Sequence, residues 1–234
     1  ARVLGMGGSA ATSPLASPQP LPPAAPLASR LQPTTGIAYA GPQGLVAVDA
    51  RGQRSLVQTP NIGTVQVAPD RSWVAYWIQQ DNGPQAWVVR WDGSDAHAVF
   101  DPATFKGRDG RAPGSYQLND MRWIPGAHSL ALVLIQSASQ QPAAPITELW
   151  NVNVDTGSAQ YVLDLHSASF AYAPDGANVA VMQQGEPGQA SSLMIYASDG
   201  SHARTALTYT LNAGGYSLPS PLSWWPDSRG LWAA

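Results

Sequence analysis

The stretch Phe170-Ala-Tyr-Ala-Pro-Asp-Gly-Ala-Asn-Val-Ala-Val-Met182 predicts two short β-strands joined by a tight turn. Apolar residues stand on both sides of Pro174-Asp-Gly176, and glycine readily adopts the positive φ that such turns require. The pattern recurs around three other prolines, at intervals of 56 residues (69 to 125), 49 residues (125 to 174) and 52 residues (174 to 226). The chain is therefore built from repeats of about 50 residues.

A second turn signal alternates with the first. It is an aspartate followed within three residues by a glycine, and it stands between apolar runs in the segments 49–52, 92–95, 155–158 and 199–202. Each repeat thus has two tight hairpins and four strands, which we name a, b, c and d in chain order. Such repeats predict an all-β fold, a β-propeller of four-stranded antiparallel blades. A β-sandwich is the alternative, but it does not require the same turns to return in the same order.

Three copies of the first turn carry a family resemblance. Ala68-Pro-Asp70, Tyr172-Ala-Pro-Asp-Gly176 and Trp225-Pro-Asp227 resemble the core of the TolB-type, WD40-like (PD40) β-propeller repeat. The second copy departs from it, with Pro125-Gly126 in place of Pro-Asp. The resemblance covers about residues 36–234 and implies the fold. It implies no single function, since this repeat occurs in binding proteins, dipeptidyl-peptidase-type enzymes and surface lipoproteins.

The repeats divide the chain into a tail and a propeller. Residues 1–35 hold seven of the 21 prolines and predict a disordered tail or a semi-rigid tether to a membrane anchor. Residues 36–234 form the propeller, with about four to five blades at 36–60 (partial), 61–101, 119–165, 168–207 and 221–234 (partial). The two partial units predict an incomplete ring, part of a larger propeller. Alternatively, the last a strand completes the first blade and closes a ring of four blades.

Composition excludes several classes of protein. The net charge is −3 and no basic block occurs, so we expect no nucleic-acid partner. No apolar run is long enough for a transmembrane helix. The chain has no cysteine, which excludes disulfides and thiolate zinc sites. A cysteine-free chain with a proline-rich start fits an exported protein, periplasmic or on the cell surface, whose leader is already removed.

Catalytic motifs are also missing from the sequence. It lacks the Gly-x-Ser-x-Gly elbow of serine hydrolases and the His spacing of zinc sites. Seven aspartates occupy the repeated turns, where a carboxylate accepts hydrogen bonds from nearby backbone. Asp120 is expected to form an ion pair with Arg108, Arg111 or Arg122. The nine tryptophans fall in predicted strands and are expected to pack between blades. We therefore predict no catalytic residue, no metal site and no cofactor.

The length of the connections predicts where binding occurs. The a–b and c–d turns stay short, whereas insertions at about 101–120, 136–147 and 207–220 fall in b–c and d–a connections. In an up-and-down blade these connections share one end, which we call the loop-rich face, and the short turns share the other, the tight-turn face. Loops on a rigid scaffold commonly carry binding sites. The candidate binding residues are Arg108, Arg111, Tyr116, Asn119, Asp120, Tyr209 and Tyr216.

The sequence thus favours a non-catalytic propeller that binds a protein or peptide through its loop-rich face. The alternative is the propeller of a prolyl-oligopeptidase-like or dipeptidyl-peptidase-like enzyme whose hydrolase domain lies outside this chain. A third reading is a purely structural array of blades.

Overall fold

The computed structural model describes residues 36–108, 113–136, 146–165, 169–183, 190–210 and 222–233. Within these ranges the regular elements are 17 β-strands, and no α-helix occurs. The described part of the chain accordingly contains no helix that could cross a bilayer. The predicted tail, residues 1–35, lies outside the described residues.

The strands form five antiparallel sheets in chain order, which we number as blades 1 to 5. Blade 1 contains β1 (Gly36–Gly41), β2 (Gly44–Asp49) and β3 (Gly52–Val57). Blade 2 contains β4 (Ile62–Val67), β5 (Trp73–Gln80), β6 (Gly83–Arg90) and β7 (His97–Phe100). Blade 3 contains β8 (Tyr116–Trp123), β9 (Ser129–Gln136), β10 (Thr147–Asn153) and β11 (Ala159–Asp164). Blade 4 contains β12 (Ser169–Tyr172), β13 (Asn178–Gln183), β14 (Ala190–Ala197) and β15 (Arg204–Thr210). Blade 5 contains β16 (Leu222–Trp224) and β17 (Leu231–Ala233).

This arrangement confirms the predicted β-propeller. Blades 2, 3 and 4 each hold four strands paired with their neighbours in sequence. Blade 1 supplies b, c and d strands, and blade 5 supplies a and b strands. In the described residues β16 pairs only with β17, and the edge of β1 is not paired with it. The four-bladed ring closed by the last a strand is therefore wrong for the sheets that the structure describes.

Aspartates shape the turns as the sequence predicted. Asp70, Asp175 and Asp227 each accept a hydrogen bond from the backbone N–H two residues on, at 3.0, 2.9 and 3.0 Å. Asp92 and Asp199 do the same in the c–d turns. The c–d turn of blade 3, residues 153–158, is one residue longer than the c–d turns at Asp92 and Asp199. Its backbone N–H groups bond to the Asn153 side chain instead of to an aspartate. The turn-forming role predicted for Asp155 is therefore wrong, and its carboxylate is available for contacts outside the turn.

The core lies between the blades. Four clusters of buried apolar side chains fill the successive interfaces from blade 1 to blade 5. Trp73, Trp91, Trp123 and Trp150 are buried there, as expected for packing residues. Trp225 and Trp232 differ, since they are 54% and 48% exposed.

Side chains on the a strands join each blade to the next. The indole N–H of Trp123 donates to the Gln66 carbonyl at 3.0 Å, and that of Trp224 donates to the Ala171 carbonyl at 2.8 Å. In the other direction, Gln66 donates to the Met121 carbonyl and Arg122 to the Phe170 carbonyl. Counted from the turn prolines, each pair of donors occupies the same repeat position. The a strands of adjacent blades are therefore held in register.

Candidate functional site

A cleft of about 350 Å³ lies between blades 3 and 4. Its walls come from two a strands, β8 and β12, from the middle of β9, from the start of β10 and from the residue after β11. The d–a and b–c connections leave the blades at this end, so the cleft opens on the loop-rich face. It is lined by Asn119, Asp120, Arg122, Val133, Thr147, Leu165, Ser169 and Phe170. Two of the predicted binding residues, Asn119 and Asp120, are thus brought together here.

A β-bulge in β8 explains why these two neighbours share one cleft. Leu118 pairs with Leu134 and Asp120 pairs with Val133, so Asn119 is the extra residue. In a regular strand consecutive side chains point to opposite faces of the sheet. The bulge interrupts that alternation, as bulges near binding sites often do. Asn119 is exposed and Asp120 half-buried, and both line the cleft.

Comparison with blade 2 shows why the cleft is open. Relative to the turn prolines, Asn119 and Val133 correspond to Gly63 and Trp77. In blade 2 the Trp77 indole lies directly over Gly63, so that a Cβ at Gly63 would overlap the indole ring. Blade 3 has the smaller valine at the tryptophan position. The matching space is therefore plugged in blade 2 and left open in blade 3.

The charged residues of the cleft pair with each other. Arg122 donates from Nε to Asp120 Oδ2 at 2.8 Å, as one of the expected ion pairs. Asp120 Oδ1 accepts the backbone N–H of Met121 at 2.9 Å. The Arg122 guanidinium also donates to the Phe170 carbonyl and lies 4.8 Å from the centroid of the Phe170 ring. These contacts hold the guanidinium against the wall of the cleft.

Neutral polar groups complete the lining. The hydroxyl of Ser169 is buried, and it has no hydrogen-bond partner among the described residues. Thr147 begins β10 beside it. A buried hydroxyl without a partner is uncommon, because the loss of hydration is not repaid. The cleft thus contains hydrogen-bonding capacity that the described chain does not use.

Arg108 lies outside the cleft and is bound within the chain. Its Nε donates to Glu148 Oε1 at 3.2 Å, and its Nη2 donates to Asp164 Oδ1 at 2.8 Å. Glu148 is fully buried and also accepts the Trp150 indole N–H at 2.8 Å. The Arg108 guanidinium is 4.2 Å from the centroid of the Tyr161 ring. Arg108 thus fastens the segment after β7 to blade 3, and its expected role in binding a partner stays a prediction.

The structure contradicts the loop position that the sequence predicts for Tyr116. The sequence placed it in a long loop, but β8 begins at Tyr116, and the residue is only 1% exposed. Its ring packs edge-on against Phe105 and Trp150. Its apolar area is buried in the core and is not available to a partner. Arg111 and Tyr216 lie outside the described residues, and Tyr209 is described only as part of the backbone of β15.

The tight-turn face carries a cluster that the sequence analysis missed. The imidazole of His128 bonds through Nδ1 to Asp155 at 2.7 Å and through Nε2 to Asp70 at 2.9 Å. These hydrogen bonds, first from Asp155 and then from Asp70, raise the pKa of His128. Arg90 approaches Asp155 at 3.6 Å. The cluster links the turns of blades 2 and 3, and the signal for it was the unusual Pro125-Gly-Ala-His128 turn.

A second cavity, of about 210 Å³, lies on the tight-turn side between blades 3 and 4. Its Asn151 amide is already engaged, since it donates to the Ser198 carbonyl at 2.9 Å and accepts the Tyr172 hydroxyl at 2.6 Å. Burial raises the pKa of Tyr172. Within the described ranges no three His, Cys, Asp or Glu side chains are placed to hold a metal ion. The cleft on the loop-rich face is therefore the better candidate site.

Comparison with known proteins identifies the fold. No protein-family model and no curated protein matches this chain. Among solved structures, an oligogalacturonate lyase from Vibrio parahaemolyticus is 16% identical over 80% of this chain and 50% of that chain, with a TM-score of 0.55. The tricorn protease is 13% identical over 84% of this chain and 17% of that chain, with a TM-score of 0.54. TolB from Acinetobacter baumannii is 11% identical over 75% of this chain and 41% of that chain, with a TM-score of 0.45.

This chain thus spans about half the length of the lyase that it matches. At these identities the similarity to the lyase and the tricorn protease establishes a shared fold and nothing beyond it. Two of the matched proteins are named as enzymes, but the shared fold assigns no activity to this chain.

Proposed function

We propose that this propeller is a non-catalytic binding module of an exported or surface-tethered protein, and that it binds a protein or peptide partner through its loop-rich face. The observation that carries the proposal is the cleft between blades 3 and 4. It lies on the face from which the b–c and d–a connections leave the blades, and its polar groups are incompletely paired. Rigid walls with a few convergent polar groups are typical of binding sites.

The positions of the ionisable side chains support a binding role over a catalytic one. Six turn aspartates bond their own backbone, and His128 is held between two carboxylates. Glu148 is buried against Arg108 and Trp150. In the cleft itself, Asp120 has both oxygens engaged. Each of these carboxylates already accepts hydrogen bonds within the chain, which favours a structural role over that of a general base.

Site-specific photocrosslinking in the native cell envelope tests the proposal. A photoreactive residue, p-benzoylphenylalanine, replaces Asn119 in the cleft, and the matched control replaces Thr156 on the tight-turn face. Both positions are exposed. We expect a discrete crosslinked partner from position 119 and none from position 156. The same product from both positions, or no product from either, would contradict a partner in the envelope that binds at the loop-rich face.

A further inference from the structure

The cleft offers a guanidinium, that of Arg122, beside hydroxyl and amide groups that can donate or accept hydrogen bonds. Asp120 is the carboxylate in its lining, and its two oxygens are taken by the Met121 backbone N–H and by Arg122. Arg122 uses Nε and Nη1 within the chain, and no hydrogen bond from its Nη2 occurs among the described residues. The hydroxyl of Ser169 is buried and unpaired there. A carboxylate of a ligand could accept hydrogen bonds from the Arg122 Nη2 and from the Ser169 hydroxyl.

The rest of the lining includes apolar side chains. Val133 is 5% exposed, Leu165 3% and Phe170 5%, and all three belong to the cluster between blades 3 and 4. Their side chains meet the cleft within one cavity of about 350 Å³ that also contains Arg122 and Ser169. An occupant that fills this space presents an anionic group and an apolar group only a few bonds apart.

We propose that the cleft captures the C-terminal residue of a peptide or protein partner, with the α-carboxylate at Arg122 and Ser169 and an apolar side chain against Val133 and Leu165. This inference rests on the proposed function and names the partner's chemistry. A C-terminal residue carries its carboxylate and its side chain on one carbon, which matches the polar and apolar groups of the lining. An acidic side chain within a chain supplies the carboxylate but leaves the apolar side chains uncovered. Capture of terminal carboxylates is a known mode of peptide recognition.

Peptide binding by fluorescence anisotropy tests the proposal on the whole chain. The probes are fluorescein-labelled Gly-Ser-Gly-Ser-Leu as the free acid, the same peptide as the C-terminal amide, and amidated Gly-Ser-Glu-Ser-Gly with an internal acid. We expect the free acid to bind at least about tenfold more tightly than either amide, because hydrogen bonds to a charged group are the strong ones. Equal binding of acid and amide, or tightest binding of the internal acid, overturns the inference.

Two variants locate the binding. Arg122→Gln should weaken the free acid about tenfold, whereas Arg90→Gln on the tight-turn face should leave its affinity unchanged. The double variant Asn119→Gly/Val133→Trp copies the plugged arrangement of Gly63 and Trp77 in blade 2 and should abolish binding. Unchanged affinity in a folded double variant places the peptide elsewhere and refutes the assignment. The comparison of acid with amide on the unaltered chain decides the matter even if the double variant does not fold.

The two proposals fail in distinguishable ways. One possible result is a crosslinked partner at position 119 with no preference for the free acid. That result contradicts the C-terminal inference and supports the proposed binding function. Absence of both the crosslink and peptide binding removes both. Peptide binding without a crosslinked partner in the envelope supports the chemistry of the cleft and contradicts the proposed location of the partner.

Discussion

Replacing Arg108 with methionine should destabilise the fold, although the sequence analysis placed Arg108 in a binding loop. Methionine retains much of the apolar stem but removes the guanidinium from Glu148 and Asp164. Glu148 is fully buried, so its carboxylate would lose its cationic partner and keep only the Trp150 indole N–H. The variant should therefore lose free energy of unfolding.

The size of the loss follows from the exposure of the two ion pairs. Removing one partner of a buried pair costs roughly 3–5 kcal/mol. The Arg108 and Asp164 side chains are each 29% exposed, so water reaches part of this cluster. We therefore expect the lower end, about 3 kcal/mol. For a domain of this size that corresponds to a fall in Tm of about 6–12 °C.

Urea and thermal unfolding followed by circular dichroism measure this loss. The matched control is Arg122→Met, because the Arg122–Asp120 pair is more exposed, at 53% and 35%, and should be worth less than about 1 kcal/mol. The double variant Arg108→Met/Glu148→Gln should recover part of the stability, since no buried charge remains. A loss below about 0.5 kcal/mol for Arg108→Met, or no difference from the control, refutes the reasoning that Arg108 neutralises a buried carboxylate.

Two further predictions concern the blades. His128→Ala should cost about 1 kcal/mol at pH 5–6, because half-exposed charged pairs are partly screened. The pKa of His128 is raised in the folded state, so this contribution is fully present below its unfolded value of 6.5 and fades as the pH rises through the folded-state pKa. Urea titrations of both proteins across pH 5–9 check the trend, and a difference that grows with pH contradicts it. Gly63→Ala should cost about 1–3 kcal/mol through overlap with Trp77, and the added substitution Trp77→Val should restore most of that loss; equal Tm values for Gly63→Ala and the unaltered chain would contradict the plug in blade 2.

Much of the fold could be predicted because its turns are local. Pro-Asp-Gly in the stretch 170–182 specifies a hairpin by backbone conformation alone, and its repetition specifies the blade. The sequence wrongly predicts that Asp155 forms the c–d turn of blade 3. One extra residue moved the capping role to Asn153, and the spacing of Asp and Gly does not reveal that shift.

The candidate site was only partly predictable. Asn119 and Asp120, two of the residues expected from the sequence, line the cleft, and their role in binding stays a prediction. The sequence does not distinguish the structural roles of Arg108 and Tyr116 from the binding role expected for Asn119 and Asp120. Those structural roles depend on contacts with Glu148 and Trp150, which lie some 30 to 40 residues away in sequence. The bulge that turns Asn119 into the cleft depends on strand register, which the residues of β8 do not specify alone. The sequence signal for the cleft is the alignment of the repeats, in which Asn119 corresponds to Gly63 and Val133 to Trp77.

Under the proposed binding mode, the residue at position 133 bears on which occupants the cleft admits. Val133 is one of the apolar side chains of the lining, distinct from the groups of Arg122 and Ser169 that would bind an anion. Its volume sets the depth of the cleft, so alanine there admits a bulkier occupant and leucine a smaller one, while the polar groups stay the same. Selectivity for size is thereby separated from selectivity for charge. A substitution at this one position on a buried strand would then alter the size of the occupant that the cleft admits.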